Sequence, residues 1–354
     1  MIESHINRIR KRPPYHVGGA ISRIHNQLTI VDLHADSLLW NRDLLKKEHY
    51  GHTDVPRLLD GNVAIQVFGV ATHFPFGVDL ITLLSMFHGW PVRTWRDWFE
   101  RAIYQSQKLD KFISRSAGKI RLIKSVKDLD EVLTLRKERT DRLGVLLALE
   151  GAHALNGKLS NLVKLYDSSF RVFGISHFRD NEAGSSAHGR NKAGLSVFGY
   201  ELVHMLQELH MIIDLSHASW RVIDDVIEVV KSPVIVSHTG VRGTCDNSRN
   251  LTDRQVEKVA KGGGLIGIAM ISRALCGKQI RDMVAAIRYV SNLVGVDFVG
   301  IGSDFDGGIT APFDASGLPL LTEELLSEGF NEGDVAKIMG GNALRVFRET
   351  LPKI

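Results

Sequence analysis

Thr29-Ile-Val-Asp-Leu-His-Ala-Asp36, written TIVDLHAD, is a short apolar run that ends in a histidine and an aspartate two positions apart. In a β-strand residues i and i+2 point to the same face, so His34 and Asp36 project together while Leu33 and Ala35 pack the other way. An H-x-D pair at a strand's end is half a metal site. Alone it is weak, because a polar tip on a buried strand is more often a satisfied turn residue. Its meaning depends on what later segments bring.

The same arrangement recurs down the chain. Apolar runs follow at Val63–His73, Gly144–His153 (GVLLALEGAH), up to His177 (RVFGISH), up to His217 (MIIDLSH), up to His238 (PVIVSH), in GGLIGIAM and in FVGIGSDFDG. Helical segments separate them: a short one opened by Thr53 and Pro56, one opened by Ser125 and Asp128, one near Ser196, one over Trp220–Val230, one with a Thr252/Gln255 capping box, and one over Lys278–Val294. Residues 78–113 read as a helical insertion with Trp90, Trp95, Trp98 and Phe99 clustered in it, broken or kinked at Pro91. Near-continuous apolar strands alternating with amphipathic helices predict a parallel sheet covered on both faces, and eight such units predict an α/β fold, a single (β/α)8 TIM barrel. No linker divides the chain, so residues 1–354 are expected to form one domain.

Composition narrows the classes. The 44% apolar and 24% charged shares are ordinary for a globular protein. The net charge of +4 owes much to Arg8, Arg10, Lys11 and Arg12, read as a solvated terminus and not as a nucleic-acid patch, because no aromatic interleaving accompanies it. Cys245 and Cys276 lack CxxC spacing, which argues against a disulfide framework and for a reducing compartment. There is no apolar leader and no run of ~20 apolar residues. A cytoplasmic protein without membrane attachment is the expectation, and a homodimer is compatible with it.

Polar residues fall at one repeated place: His34 and Asp36 on strand 1, Glu150 on strand 3, His177 on strand 4, His217 on strand 5, His238 on strand 6 and Asp304 on strand 8. That is the C-terminal rim, where barrel enzymes assemble their sites. One histidine there means little, but six strands agreeing means much. Imidazoles and carboxylates without thiolate suit zinc or a similar divalent ion. One metal taking His34, Asp36 and Glu150, and a second taking Glu150, His217 and His238, would let Glu150 bridge them, and a shared water would lose a proton near neutral pH. Asp304 is then free to carry a proton, unless it is a third ligand or a cap. Arg249, with Asn250 beside it, is a candidate clamp for a substrate carboxylate, and His177 a candidate oxyanion donor. Asp32, Asp306 and His153 lie near the proposed ligands in sequence and are candidates to orient them. Gly262, Gly264 and Gly267 fit GxGxxG but precede a strand, so a dinucleotide site is not expected, and neither HExxH nor GxSxG occurs.

At these residues the chain resembles the membrane (renal) dipeptidase family of zinc peptidases, among the amidohydrolase-like barrels. The resemblance is carried by VDLHAD, LALEGAH, ISHFRDNEAGSSAHG, DLSHAS, VIVSHT, SRNLTD, GIGSDFDG and GGNALRVF, in that order over nearly the whole chain. It implies two zinc ions on His34, Asp36, bridging Glu150, His217 and His238. It also implies that His177 stabilises a tetrahedral intermediate, that Arg249 holds the substrate carboxylate and that Asp304 protonates the leaving amine. Dipeptides are the implied substrates, and dipeptides with a C-terminal D-residue are an open candidate among them that the sequence does not decide. Two other readings keep the barrel: cleavage of an N-acyl amino acid, lactone or phosphoester by the same metals, and a non-catalytic binding module.

Overall fold

The computed structural model describes residues 2–76 and 78–354. Eight parallel strands form the ring: β1 (Ile30–Ala35), β2 (Val63–Ala71), β3 (Leu143–Glu150), β4 (Phe170–Gly174), β5 (Ile212–Asp214), β6 (Ile235–Thr239), β7 (Leu265–Ile268) and β8 (Val299–Ile301). Every residue of these strands is buried, as expected for a sheet with side chains inside the ring and helices outside it. The ring closes because β1 pairs on one edge with β2, through Asp32 and Gln66, and on the other with β8, through Asp32 and Ile301. β2 continues onto β3 from Ile65/Gly144 to Ala71/Glu150. The result is the predicted TIM barrel.

Helices cover the ring where the caps place them. Ser125, Ser196, Ser219 and Thr252 each accept a hydrogen bond from the backbone N–H three residues on, and Thr252 and Gln255 form the expected capping box. The C-terminal GGNALRVF segment closes the base. Gly340 lies so near β1 that a Cβ there would stand 1.9 Å from the Thr29 carbonyl, and Asn342 Nδ2 donates to the Val296 and Val299 carbonyls at 2.7 and 2.8 Å. No helix among the described residues is long and apolar enough to cross a membrane.

Several expectations need correction. The segment 78–113 is not one helical insertion. A two-stranded hairpin (Pro75–Phe76 with Val78–Asp79) leads into a helix, Leu80–Phe87, that stops before Pro91, at Gly89 with φ 66°. The following helix, Trp98–Arg115, packs on the barrel. Arg101 ties the two parts together from a buried position, donating to Asp79 Oδ2 at 2.5 Å and to the carbonyls of Thr72, Thr94 and Trp95 at 2.6 to 2.7 Å. A ninth strand, Ile120–Leu122, does not show as an apolar run because the exposed Arg121 interrupts it; it fills the edge of β3 below β4. The cap of the Val55–Asp60 helix is Asp54, which accepts from Arg57 N at 2.9 Å, while Thr53 turns inward.

Two corrections reach further. The basic N-terminal stretch is not simply solvated: Arg8–Ile9 is a strand pairing with Thr310–Ala311, although the Arg8 side chain is exposed. Cys245 and Cys276 are joined in a disulfide, with Cα atoms 5.4 Å apart. A spacing of 31 residues conceals this, because adjacency of β6 and β7 brings together the loops that follow them. With both thiols paired, the cysteines no longer favour a reducing compartment.

Candidate metal centre

His34, Asp36, Glu150, His177, His217, His238 and Asp304 are all buried and converge at the C-terminal mouth of the barrel. Glu150 is the hub. Its Oε1 lies 3.2 Å from His34 Nε2, 3.7 Å from His238 Nε2 and 3.8 Å from His217 Nε2, and its Oε2 lies 3.3 Å from His177 Nε2. Asp36 Oδ1 stands 3.7 Å from His34 Nε2. The donor atoms form two compact sets sharing Glu150, one of His34, Asp36 and Glu150 and one of Glu150, His217 and His238. A third set, His34, His238 and Asp304, overlaps both.

The strands account for the convergence only in part. His34 lies within β1, Glu150 ends β3 and His238 lies within β6, but β4 and β5 stop three residues short of His177 and His217. His217 turns inward with φ 62° and Asp304 with φ 59°. Such left-handed positions are unfavourable for residues with a Cβ and persist where the surroundings hold them. Around Asp304 the backbone provides this: Asp304 N donates to the His34 carbonyl at 3.1 Å and Asp36 N to the Phe305 carbonyl at 2.8 Å.

Three observations test whether divalent ions fit. His34 Nδ1 and Nε2, Asp36 Oδ1, Glu150 Oε2 and His217 Nδ1 are buried without a hydrogen-bond partner among the described residues. Leaving such groups unsatisfied costs about 1–3 kcal/mol each, which bound cations would offset for the ligating atoms. Burial holds His217 and His238 well below the ordinary imidazole range, so both are neutral and have a lone pair to give. Burial raises Glu150 to about 7, with Asp36 adding and His34 opposing. Carboxylates crowded in a dry site call for positive charge between them.

The backbone leaves the space open. A Cβ on Gly69 would stand 2.5 Å from His34 Cε1 and 2.8 Å from Asp36 Oδ1, and one on Gly307 would stand 2.4 Å from Asp304 Oδ1. Neither glycine stands out in the sequence, though a glycine inside a strand pattern signals close approach. Gly69→Ala is expected to push His34 and Asp36 out of line and to weaken metal binding by about 10–100-fold, the range seen when ligand orientation is lost. Titration with a metallochromic chelator measures it; wild-type affinity would refute this role.

Other residues orient the candidate donors. Ser237 Oγ donates to Asp214 Oδ2 at 2.5 Å and lies 2.8 Å from His238 Nδ1, leaving Nε2 to face the site. No sequence pattern marks Asp214 or Ser237 for this role. Asp32 lies beneath, accepting from Ser303 N and Oγ, both at 2.7 Å, and from Gln66 Nε2 at 2.9 Å. His153 is turned away from the donor cluster, with Nε2 2.9 Å from Thr72 Oγ1 and its ring against Trp98. Arg249 donates to the His238 carbonyl at 2.5 Å and to Thr239 Oγ1 at 3.3 Å, at the edge of the cluster. Asn250 braces that loop: its Nδ2 donates to the Cys245 and Ala274 carbonyls, both at 2.7 Å. Phe178 forms an aromatic wall, 4.5 Å from the rings of both Phe74 and His177.

The closed (β/α)8 barrel thus gathers buried histidines and carboxylates at its C-terminal mouth in sets that could hold divalent ions. A sequence model of the membrane dipeptidase family, peptidase family M19, matches residues 19–352, and the chain belongs to that family. Among curated relatives, Dipeptidase 3 of Homo sapiens is 34% identical over 222 residues and that of Mus musculus 32% identical over 222 residues, 59% of this chain in each case. The chain spans about half the length of these relatives, the matches covering 46% and 45% of them. Two solved structures share the fold. The probable dipeptidase PvdM from Pseudomonas aeruginosa has a TM-score of 0.81 at 20% identity, covering 94% of this chain and 97% of that one. A metallo peptidase from Rhodobacter sphaeroides, liganded with a phosphinate mimic of the dipeptide L-Ala-D-Ala, has a TM-score of 0.79 at 23% identity, covering 91% and 99%.

Proposed function

We propose that this protein hydrolyses dipeptides with the aid of two divalent metal ions, zinc by the character of the donors. The observation that carries the reading is the pair of donor sets sharing Glu150, with Arg249 and Asp304 at their edge. His34, Asp36 and Glu150 would hold one ion and Glu150, His217 and His238 the other. When bound, such a pair supplies Lewis acidity and brings the ionisation of water near neutral pH.

The chain's own groups do the rest. Arg249, fixed through the His238 carbonyl, presents its guanidinium to the substrate's C-terminal carboxylate, an arrangement that suits planar bidentate pairing. His177 is kept neutral by burial, with His153 and His34 adding, so it donates a hydrogen bond to the carbonyl oxygen as charge develops there. Asp304, pushed well above the ordinary carboxyl range by burial and by Asp36, hands a proton to the leaving amine nitrogen.

Acceptance of a C-terminal D-residue is part of the proposal, supported by the dipeptide mimic in the Rhodobacter sphaeroides neighbour. The test is zinc analysis combined with a dipeptide library containing both stereoisomers, alongside N-acyl amino acids, lactones and phosphoesters. Turnover of dipeptides that vanishes on chelation and returns with zinc is expected. Full turnover by metal-free protein, or activity confined to the other panels, would overturn the reading. Arg249→Ala should raise KM for dipeptides by about 10–100-fold, a loss of about 1.5–3 kcal/mol for a charge-assisted pair, and leave dipeptide amides unaffected. Equal losses on both substrates would remove the clamp from the mechanism.

A further inference from the structure

The loop that carries Asp304 is built from residues that do not favour its shape. Asp304 and Asp306 both adopt positive φ, 59° and 64°, and Gly308 follows at 80°. A backbone so arranged stays in one conformation only while its neighbours hold it. The barrel holds one side, through the hydrogen bonds that join this loop to His34 and Asp36. The other side is held by the N-terminal arm.

Asp306, fully buried, is the anchor. Its carboxylate accepts from Ser37 Oγ at 2.7 Å, Thr53 Oγ1 at 2.6 Å, His52 N at 2.6 Å and Arg42 Nη2, and Trp40 Nε1 donates to its carbonyl at 2.7 Å. Arg42, also buried, reaches the other way and donates from Nε to Glu3 Oε1 at 2.6 Å. Asn7 Oδ1 accepts from Gly308 N at 2.9 Å. Arg8 N then donates to the Ile309 carbonyl and Arg10 N to the Ala311 carbonyl, both at 3.0 Å. His52 bridges the layers: Asp306 N donates to its Nδ1 at 2.9 Å, and its Nε2 lies 2.9 Å from the Arg8 carbonyl. Glu3 and Asn7 are buried although they precede the first barrel strand by more than twenty residues.

We propose that residues 3–11 form a strap that positions Asp304, with Glu3 and Asn7 as its positioning residues. Neither touches the donor cluster. Glu3 acts through Arg42 on Asp306, and Asn7 acts on Gly308, so together they fix both ends of the turn that follows Asp304. Asp304 must meet one leaving nitrogen in one direction, and a misplacement of about 1 Å can cost ~100-fold in rate. This inference rests on the role proposed above for Asp304.

The test compares Glu3→Gln, Asn7→Ala and the double variant with wild type, loaded with zinc. Three quantities are read: kcat and KM on a dipeptide, zinc content, and hydrogen exchange of the 304–311 amides. In the double variant kcat should fall about tenfold with KM and zinc content within about twofold of wild type. Exchange over 304–311 should quicken at least about tenfold while β3 and β6 stay protected. If the double variant does not fold, Asn7→Ala alone is read, with a smaller change of the same pattern. Unchanged kcat and exchange would overturn the strap, as would a fall in kcat matched by lost zinc. If wild type cleaves no dipeptide, the dipeptidase reading fails by itself, and exchange over 304–311 still decides whether the strap orders the loop.

Discussion

Glu150→Gln should lose both metals and all measurable dipeptidase activity together. The substitution keeps shape and volume, so folding should survive, but it replaces an anionic oxygen with an NH2 in a place where four imidazole nitrogens lie within 3.2 to 3.8 Å of the carboxylate. An amide nitrogen is no metal ligand, and the remaining oxygen lacks the charge to bridge two cations. Removing an orienting partner costs ~10–100-fold in affinity, and removing the shared ligand should cost more. Zinc analysis of dialysed protein should show bound metal falling well below that of wild type, with kcat down by at least about 1,000-fold. An E150Q variant that retained both ions and full turnover would show that Glu150 bridges nothing.

Asp304→Asn should separate catalysis from metal binding. Asp304 belongs to a potential ligand set with His34 and His238, and burial with Asp36 and Glu150 nearby holds its carboxyl protonated well above the usual range, with His34 and Arg249 opposing. A protonated carboxyl is a proton donor and a poor ligand; the isosteric amide can do neither job. If Asp304 delivers the proton, kcat falls about 100- to 10,000-fold while zinc content and KM stay near wild type. Loss of zinc in step with activity would make it a ligand instead. Depsipeptides, in which an ester replaces the scissile amide, provide a further check, because an alcohol leaving group depends less on protonation than an amine, so the variant should retain more of its activity on them.

Glycine and backbone requirements are harder to read from sequence than the ligand candidates. His34, Glu150 and His238 can be placed because each sits in or at the end of an apolar run, where side-chain alternation and strand polarity determine which way a residue points. The same logic reaches His177 and His217, although their strands end earlier than the apolar pattern suggests. Asp214, Ser237, Gly69 and Gly307 escape it because their roles depend on what a neighbouring strand or loop brings beside them, 23 residues away in sequence for the Asp214 and Ser237 pair. The Cys245–Cys276 bridge and the arm at Glu3 and Asn7 escape for the same reason.

TIVDLHAD and its seven successors suffice for the barrel and for the residue types gathered at its rim, because period, strand length and residue type are local properties that a chain carries wherever it goes. What only the tertiary structure decided is how the donors share Glu150, that the aromatic segment before Trp98 folds as a hairpin and a short helix, and that residues before the first strand return to brace the last. Those depend on ring closure: β1 lies between β2 and β8, so residues some 270 positions apart, Asp32 and Ser303, become hydrogen-bonded neighbours. No local pattern encodes such a distance.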